Sequence, residues 1–261
     1  MTKDRLLGVL LCGHGSRDAD TCLEFERFVK TIRQKLTNLS GRVLVEGAYL
    51  EFRRPTIEES FQKLVQANVE RIVAQPLMLF AARHATRDIP DQIKRLGTLH
   101  PAIAVSCSQE LPFDESLLAV ALDRIKSVVG YVSSEEWRKT LLLVVGRGSS
   151  DAAANQTLGN VAQELHRHLG IGRSKWAFAG IAPPSIKDGL IQAVDEGFQR
   201  IVVFPYFLFD GLLVKRTQHL TAEVAIKYPS VDFSVAPHLA DHPTLVNSVA
   251  NRILSILPLQ P

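Results

Sequence analysis

Short apolar runs alternate with longer amphipathic stretches along the first half of the chain. Leu6–Cys12 is apolar throughout and predicts a buried strand. Asp20–Leu36 carries Leu23, Phe28, Ile32 and Leu36 with charges between them, the mark of a helix. Val43–Leu50 predicts a second strand. Pro55 then opens a helix bearing Ile57, Phe61, Leu64 and Val65, since proline suits a first helical turn. Ile72–Leu79 and Ile103–Cys107 read as further strands, with helices over Asp88–Leu96 and Phe113–Val129. Strand followed by helix, four times over, predicts an α/β fold in which a mostly parallel four-stranded sheet is flanked by helices.

The polar stretch Gly130–Lys139 reads as a linker, after which the pattern restarts. Strands fit Leu141–Val145, Trp176–Ala179, Ile201–Phe207 and Val231–Val235; helices fit Ala152–Leu169, Pro184–Gly197, Val214–Lys227 and Pro243–Leu257. The two halves also align residue by residue. Cys12-Gly-His-Gly-Ser-Arg-Asp18 matches Val145-Gly-Arg-Gly-Ser-Ser-Asp151, and Gly47 matches Gly180 at the same offset of 133. After a four-residue contraction, Pro55-Thr-Ile-Glu-Glu matches Pro184-Ser-Ile-Lys-Asp, and Pro76 matches Pro205, at an offset of 129. Repeats of this length are whole domains. The expected domains are residues 1–130 and 140–261, joined by a linker at 131–139.

The 261 residues divide comfortably into two domains. With 46% hydrophobic and 22% charged residues, the composition excludes disorder and fibrous repeats. The net charge of +3, with no basic block, argues against a nucleic-acid partner. Cys12, Cys22 and Cys107 form no CxxC and cannot all pair, which suits a reducing compartment. No apolar run approaches the ~18 residues of a membrane span, and Leu6–Cys12 ends in Gly-His-Gly-Ser-Arg with no cleavage signature. The expectation is a cytoplasmic protein without a membrane partner.

The repeat serves as an internal comparison. His14 faces Arg147, His84 faces Leu213, Glu46 faces Ala179, and Glu51 falls at the contraction. Both histidines follow strands, at the sheet edge where α/β folds bind ligands. A single loop histidine is most simply a locally bonded side chain. Two at corresponding strand ends, both replaced in the second copy, point to chemistry. Gly13-His14-Gly15 also evokes the Arg-His-Gly of histidine phosphatases, but Gly13 stands where the phosphate-clamping arginine is needed. His166, His168, His219, His238 and His242 share no ligand spacing. Arg17, Arg53, Arg54, Arg83 and Arg87, with Arg147, Lys215 and Arg216 from the second half, sit at strand ends. Such a basic rim suits a polyanionic small molecule, because guanidinium pairs well with carboxylate.

Three motifs in order now carry a family resemblance: Gly13-His-Gly-Ser-Arg17, Ala48-Tyr-Leu-Glu51 with Pro55-Thr-Ile-Glu-Glu, and Pro76-Leu-x-Leu followed by His84-x-x-Arg87-Asp-Ile-Pro90. Together they resemble the sirohydrochlorin chelatases, the class II tetrapyrrole chelatases of cobalamin and siroheme biosynthesis, in their long form. The resemblance implies two tandem chelatase-like, flavodoxin-like domains. It implies ATP-independent insertion of Co²⁺, Fe²⁺ or in some relatives Ni²⁺ into sirohydrochlorin, the metal being a substrate and no cofactor being tightly bound. It assigns His14 and His84 to metal binding and catalysis, with Glu46 or Glu51 assisting; strand alternation places these two carboxylates on opposite faces and leaves open which one serves. Ser16, Arg17, Arg53, Arg54, Arg83, Arg87 and Arg147 would hold the tetrapyrrole, with Leu79, Phe80 and Leu213 against its face. The second domain would replace the partner subunit of a short-form dimer, making the protein a monomer with a pseudo-dimeric domain pair. The sequence departs from the family at Ala82-Arg83, commonly Gly-Lys. A non-catalytic tetrapyrrole or metal carrier is the alternative.

Overall fold

The computed structural model describes residues 6–80, 84–130, 133–150, 152–240 and 242–256, with the backbone alone of Ser40, His84 and Ala153. The first half runs β1 (Leu7–Gly13), α1 (Ala19–Ser40), β2 (Val43–Tyr49), α2 (Ile57–Gln66), β3 (Arg71–Pro76), a π-helical turn (His84–Asp88), α3 (Ile89–Leu99), β4 (Ala104–Cys107) and α4 (Glu115–Val129). A short helix α5 (Ser134–Arg138) leads to β5 (Thr140–Gly146), α6 (Ala152–Leu169), β6 (Arg173–Phe178), α7 (Ile186–Asp195), β7 (Arg200–Pro205), α8 (Leu212–Lys227), β8 (Asp232–Val235) and α9 (Pro243–Ile256). Each half forms a four-stranded, all-parallel sheet, in the orders β2-β1-β3-β4 and β6-β5-β7-β8. The expected α/β architecture is present.

β1 and β5 are buried along their whole length, as central parallel strands covered on both faces must be. In the first sheet Leu10, Cys12, Ile72 and Ala74 pack against Ile57, Phe61 and Leu64 of α2 and Ile89, Ile93 and Leu96 of α3. Leu141, Leu143, Val145, Ile201 and Val203 repeat that core in the second. Among the described residues no helix is long and apolar enough to cross a membrane.

The prolines act one step earlier than expected. Pro55 and Pro184 precede the helices α2 and α7, whose N-caps are Thr56 and Ser185, each closed into a capping box with Glu59 or Asp188. Their carbonyls accept from Tyr49 N and Phe178 N, both at 2.9 Å, so each proline ties the helix entry to the preceding strand end. The polar run read as linker contains α5, because Ser133 and Glu136 form a third capping box.

By packing, one compact unit comprises Met1–Pro112 with Asp241–Pro261, and the other Phe113–Ala240. Thus α9 packs on α1 and β3, where Arg252 Nε donates to Gln75 Oε1 at 3.3 Å. Likewise α4 packs on α6, β7 and β8, with the Arg124 guanidinium donating to the Ala240 carbonyl. The boundary expected from the repeat lies at 131–139; packing assigns α4 and α9 differently. Amphipathic spacing shows that a helix buries one face, and not which sheet receives it.

Candidate active site

In both sheets the chain leaves the first strand toward one neighbour and the third toward the other, so the crevice for a ligand opens beyond the carboxyl ends of β1 and β3. His14 is the first residue past β1. Leu77 N donates to Cys12 O at 2.8 Å, which holds the exit of β3 beside that of β1. From there the chain reaches the π-helical turn opened by His84. Such turns recur at functional sites. The His84 side chain and the whole of Arg83 lie outside the described residues.

The β1–β2 ladder continues past both strands. Leu50 N donates to Gly13 O at 2.9 Å and Glu51 N to His14 O at 3.0 Å. Backbone pairing therefore sets Glu51 next to His14. Gly15 makes this approach possible: its φ is +93°, and a Cβ there would lie 1.8 Å from the Glu51 carbonyl oxygen. The His14 Nδ1 lies 3.0 Å from the Gly15 carbonyl, which only accepts, so Nδ1 carries the hydrogen. Nε2 lies 3.3 Å from Glu51 Oε1. In the neutral ring this sets a nitrogen lone pair against a carboxylate oxygen. Two acceptors at that distance suit a proton or a cation between them.

Glu46 sits earlier on β2, paired in register with Leu10, and its carboxylate is 3.9 Å from Arg33 and 3.8 Å from Lys63. The geometry joins Glu51 to His14 and ties Glu46 to these two cations. The polar residues of the loop have varied settings. Ser16 Oγ accepts from Asp18 N at 3.0 Å. The Arg17 guanidinium lies 5.1 Å from the centre of the Phe52 ring. Arg53 is a strap: its Nε donates to Ser16 O at 3.0 Å and its Nη2 to Arg17 O at 3.3 Å. Arg54 pairs with Glu59 at 2.6 Å, and Arg87 lies 3.8 Å from Asp91. Arg147, in the second unit, is exposed.

Tyr49 and Phe52 were not visible as site residues in the apolar spacing. The Tyr49 hydroxyl donates within 3.3 Å of Cys22 O and Glu26 Oε1, and burial pushes its pKa well above the usual phenol range. The Phe52 ring centroid is 6.2 Å from that of His14. The only sequence signal for Phe52 is an aromatic isolated between charges, Glu51 and Arg53. Of the remaining histidines, His168 lies beside Glu164 O at 3.0 Å, His219 beside Glu223 at 2.9 Å, and His100 Nε2 meets the Gln62 amide at 3.1 Å. Among the described residues no group of three or more His, Cys, Asp or Glu side chains converges as a metal site.

The second unit keeps the backbone of this site and changes its chemistry. Ala179 N donates to Gly146 O at 2.9 Å, and Gly180 N to Arg147 O at 2.8 Å. Arg147 therefore stands where His14 does, and Gly180 where Glu51 does. This corrects the pairing of Gly47 with Gly180 and of Glu46 with Ala179. The contraction lies earlier, in the helix before the strand: α1 has 22 residues and α6 has 18, about one helical turn less. A Cβ on Gly180 would come within 2.4 Å of the Arg147 carbonyl oxygen, so the position is closed to a carboxylate without a shift of backbone. A second length change marks the π-helical turn. His100 and Tyr228 end α3 and α8 with matching φ of −128° and −126°, yet the first copy is one residue longer from the end of its third strand to that point.

Tandem parallel α/β units, one with an imidazole–carboxylate pair at its switch point and one without, have the organisation that the resemblance to the class II chelatases implied. The sequence model of the CbiX family matches residues 8–128 and again 141–256, and the chain belongs to that family. A sirohydrochlorin cobaltochelatase of Priestia megaterium is 27% identical over 94% of this chain and 78% of that protein. A sirohydrochlorin ferrochelatase of the same organism is 26% identical over 97% of this chain and 92% of that protein. In fold, the chain is similar to SirB from Bacillus subtilis with Fe³⁺, at a TM-score of 0.80 and 24% identity over 96% of this chain and 95% of the other.

Proposed function

We propose that this chain is a sirohydrochlorin chelatase that inserts a divalent metal, Co²⁺ by first assignment and Fe²⁺ by second, in cobalamin or siroheme biosynthesis. The observation that carries the reading is the His14–Glu51 pair at the switch point of a chain whose relatives bear chelatase names. The reaction exchanges two pyrrole N–H protons for one dication, so the site must hold a cation and accept protons. Neutral imidazole suits both tasks, as a ligand for borderline divalent metals and as a group that titrates near neutrality.

With Nδ1–H fixed on the Gly15 carbonyl, His14 offers Nε2 to the incoming metal while the Glu51 carboxylate offsets its charge. Transfer of the metal to the macrocycle leaves Nε2 and the carboxylate able to receive a pyrrole proton. His84, carried on the π-helical turn, is the second imidazole in this reading. Arg17, Arg53, Arg54, Arg83, Arg87 and Arg147 are assigned to the substrate's peripheral carboxylates; Arg53 would reach them with Nη1 while Nε and Nη2 stay on the Ser16 and Arg17 carbonyls, and Arg54 would first have to leave Glu59. The second unit, with Arg147 and Gly180 in place of the pair, is assigned a non-catalytic role, and the protein is read as a monomer. The free thiols of Cys12, Cys22 and Cys107 suit a cytoplasmic setting.

Anaerobic absorbance titration of sirohydrochlorin with Co²⁺, Fe²⁺ or Ni²⁺ at substoichiometric protein tests this. Multiple turnovers are expected, fastest with Co²⁺, and His14→Ala should slow insertion about 100-fold or more. A single stoichiometric uptake would instead identify a carrier. An undiminished rate in His14→Ala would remove the assigned role.

A further inference from the structure

Phe52 is a bulky residue in the left-handed region, with φ of 65°. Such a conformation is strained for any residue with a Cβ, and an observed outlier of this kind at a site points to function. The Arg53 amide donates back to the Glu51 carbonyl at 2.9 Å, closing a tight three-residue turn with Phe52 at its tip. The Arg53 guanidinium then straps this turn to the Ser16 and Arg17 carbonyls. The chain thus fixes an apolar ring in a costly conformation and leaves it 52% exposed. Burial in the core does not account for that.

The neighbours of the ring define what it suits. His14 lies on one side with centroids 6.2 Å apart and planes inclined by 30°, and the Arg17 guanidinium sits 5.1 Å from the ring centre. An aromatic plate beside an imidazole and a cation fits a flat, apolar ring system edged with carboxylates. The second copy adds an independent observation. By the backbone pairing that matches Glu51 with Gly180, Phe52 corresponds to Ile181, which is 89% exposed. The imidazole and the carboxylate are gone from the second copy, but an exposed apolar side chain is kept at this position. The apolar side chain is therefore kept apart from the imidazole–carboxylate pair, which suits a contact with ligand surface rather than a part in metal chemistry.

We infer that Phe52 contacts the macrocycle face of the tetrapyrrole and sets substrate affinity. This rests on the chelatase reading above. The test is titration of the full chain with metal-free sirohydrochlorin, alongside steady-state insertion of Co²⁺. Phe52→Gly suits the left-handed turn, so its melting temperature should not fall below that of the wild type. Its Kd and KM for sirohydrochlorin should rise about tenfold or more, the scale of one lost aromatic stack. Its kcat at saturating tetrapyrrole should stay within about threefold, because uniform binding is what has been removed. Phe52→Tyr, which keeps the ring, should remain within about twofold of the wild type. An unchanged Kd in Phe52→Gly overturns the inference and leaves the chelatase reading standing. A fall in kcat with Kd unchanged also overturns it, and assigns the ring to holding His14. A wild-type chain that neither binds nor metallates sirohydrochlorin overturns both.

Discussion

At Gly15 a side chain is sterically impossible, and this one vacancy lets the Glu51 backbone close on the His14 loop. The resulting 3.3 Å imidazole–carboxylate contact exists because Glu51 is paired in register two residues past the end of β2. Glu51→Gln keeps the shape and removes the charge. Insertion should slow about 10- to 100-fold, the usual scale for a carboxylate supporting a metal-binding histidine. Thermal unfolding should change by no more than about 0.5 kcal/mol, since the group is partly exposed. Parallel rate and melting measurements check this; a full rate in Glu51→Gln would take the carboxylate out of the reaction. His14 was legible in the sequence because it follows a clear strand and is replaced in the repeat. The choice between Glu46 and Glu51 was not, since a four-residue shift placed in the wrong connection moves every comparison on β2.

The helix that supports this corner of the sheet is α2. Its capping box joins the Thr56 side chain to Glu59 N at 3.2 Å and the Glu59 carboxylate to Thr56 N at 2.8 Å. The Thr56 amide, with help from Arg54, holds the Glu59 carboxyl below the usual carboxylate range. A depressed folded-state pKa means that this cap contributes fully above the ordinary glutamate pKa and is lost as pH falls through the lowered value. Thr56→Ala should cost about 1 kcal/mol at neutral pH. The stability difference between wild type and Glu59→Gln, which keeps the shape and removes the charge, should shrink on acidification, read from urea midpoints between neutral pH and pH about 3. A Glu59→Gln difference independent of pH would mean that the Glu59 charge plays no part in the cap. The motif Thr56-x-x-Glu59 was open to reading from sequence, as were most strands and helices. The π-helical turn was not, because one added residue leaves the apolar spacing of the helix after it unchanged.

On the scale of the molecule, α9 completes the unit that holds the site, although it ends the described chain. Leu245, Val246, Val249, Ala250 and Ile253 are its buried face. Together they contribute on the order of 10 kcal/mol of apolar burial, comparable with the whole stability of a domain. A chain ending at residue 242 should therefore lose hydrogen-exchange protection in β1 while β5 stays protected; equal protection in both would show that α9 is dispensable. By itself the sequence determined the α/β class, the tandem repeat and the strand ends, because periodicity, breakers and internal similarity are properties of local order along the chain. Only the tertiary structure decided that Glu51 partners His14, that Arg53 straps a turn, that Phe52 stands exposed in a strained backbone, and which sheet each of α4 and α9 covers. Those outcomes depend on register between strands and on which apolar faces meet, and both are set by contacts between residues far apart in the chain.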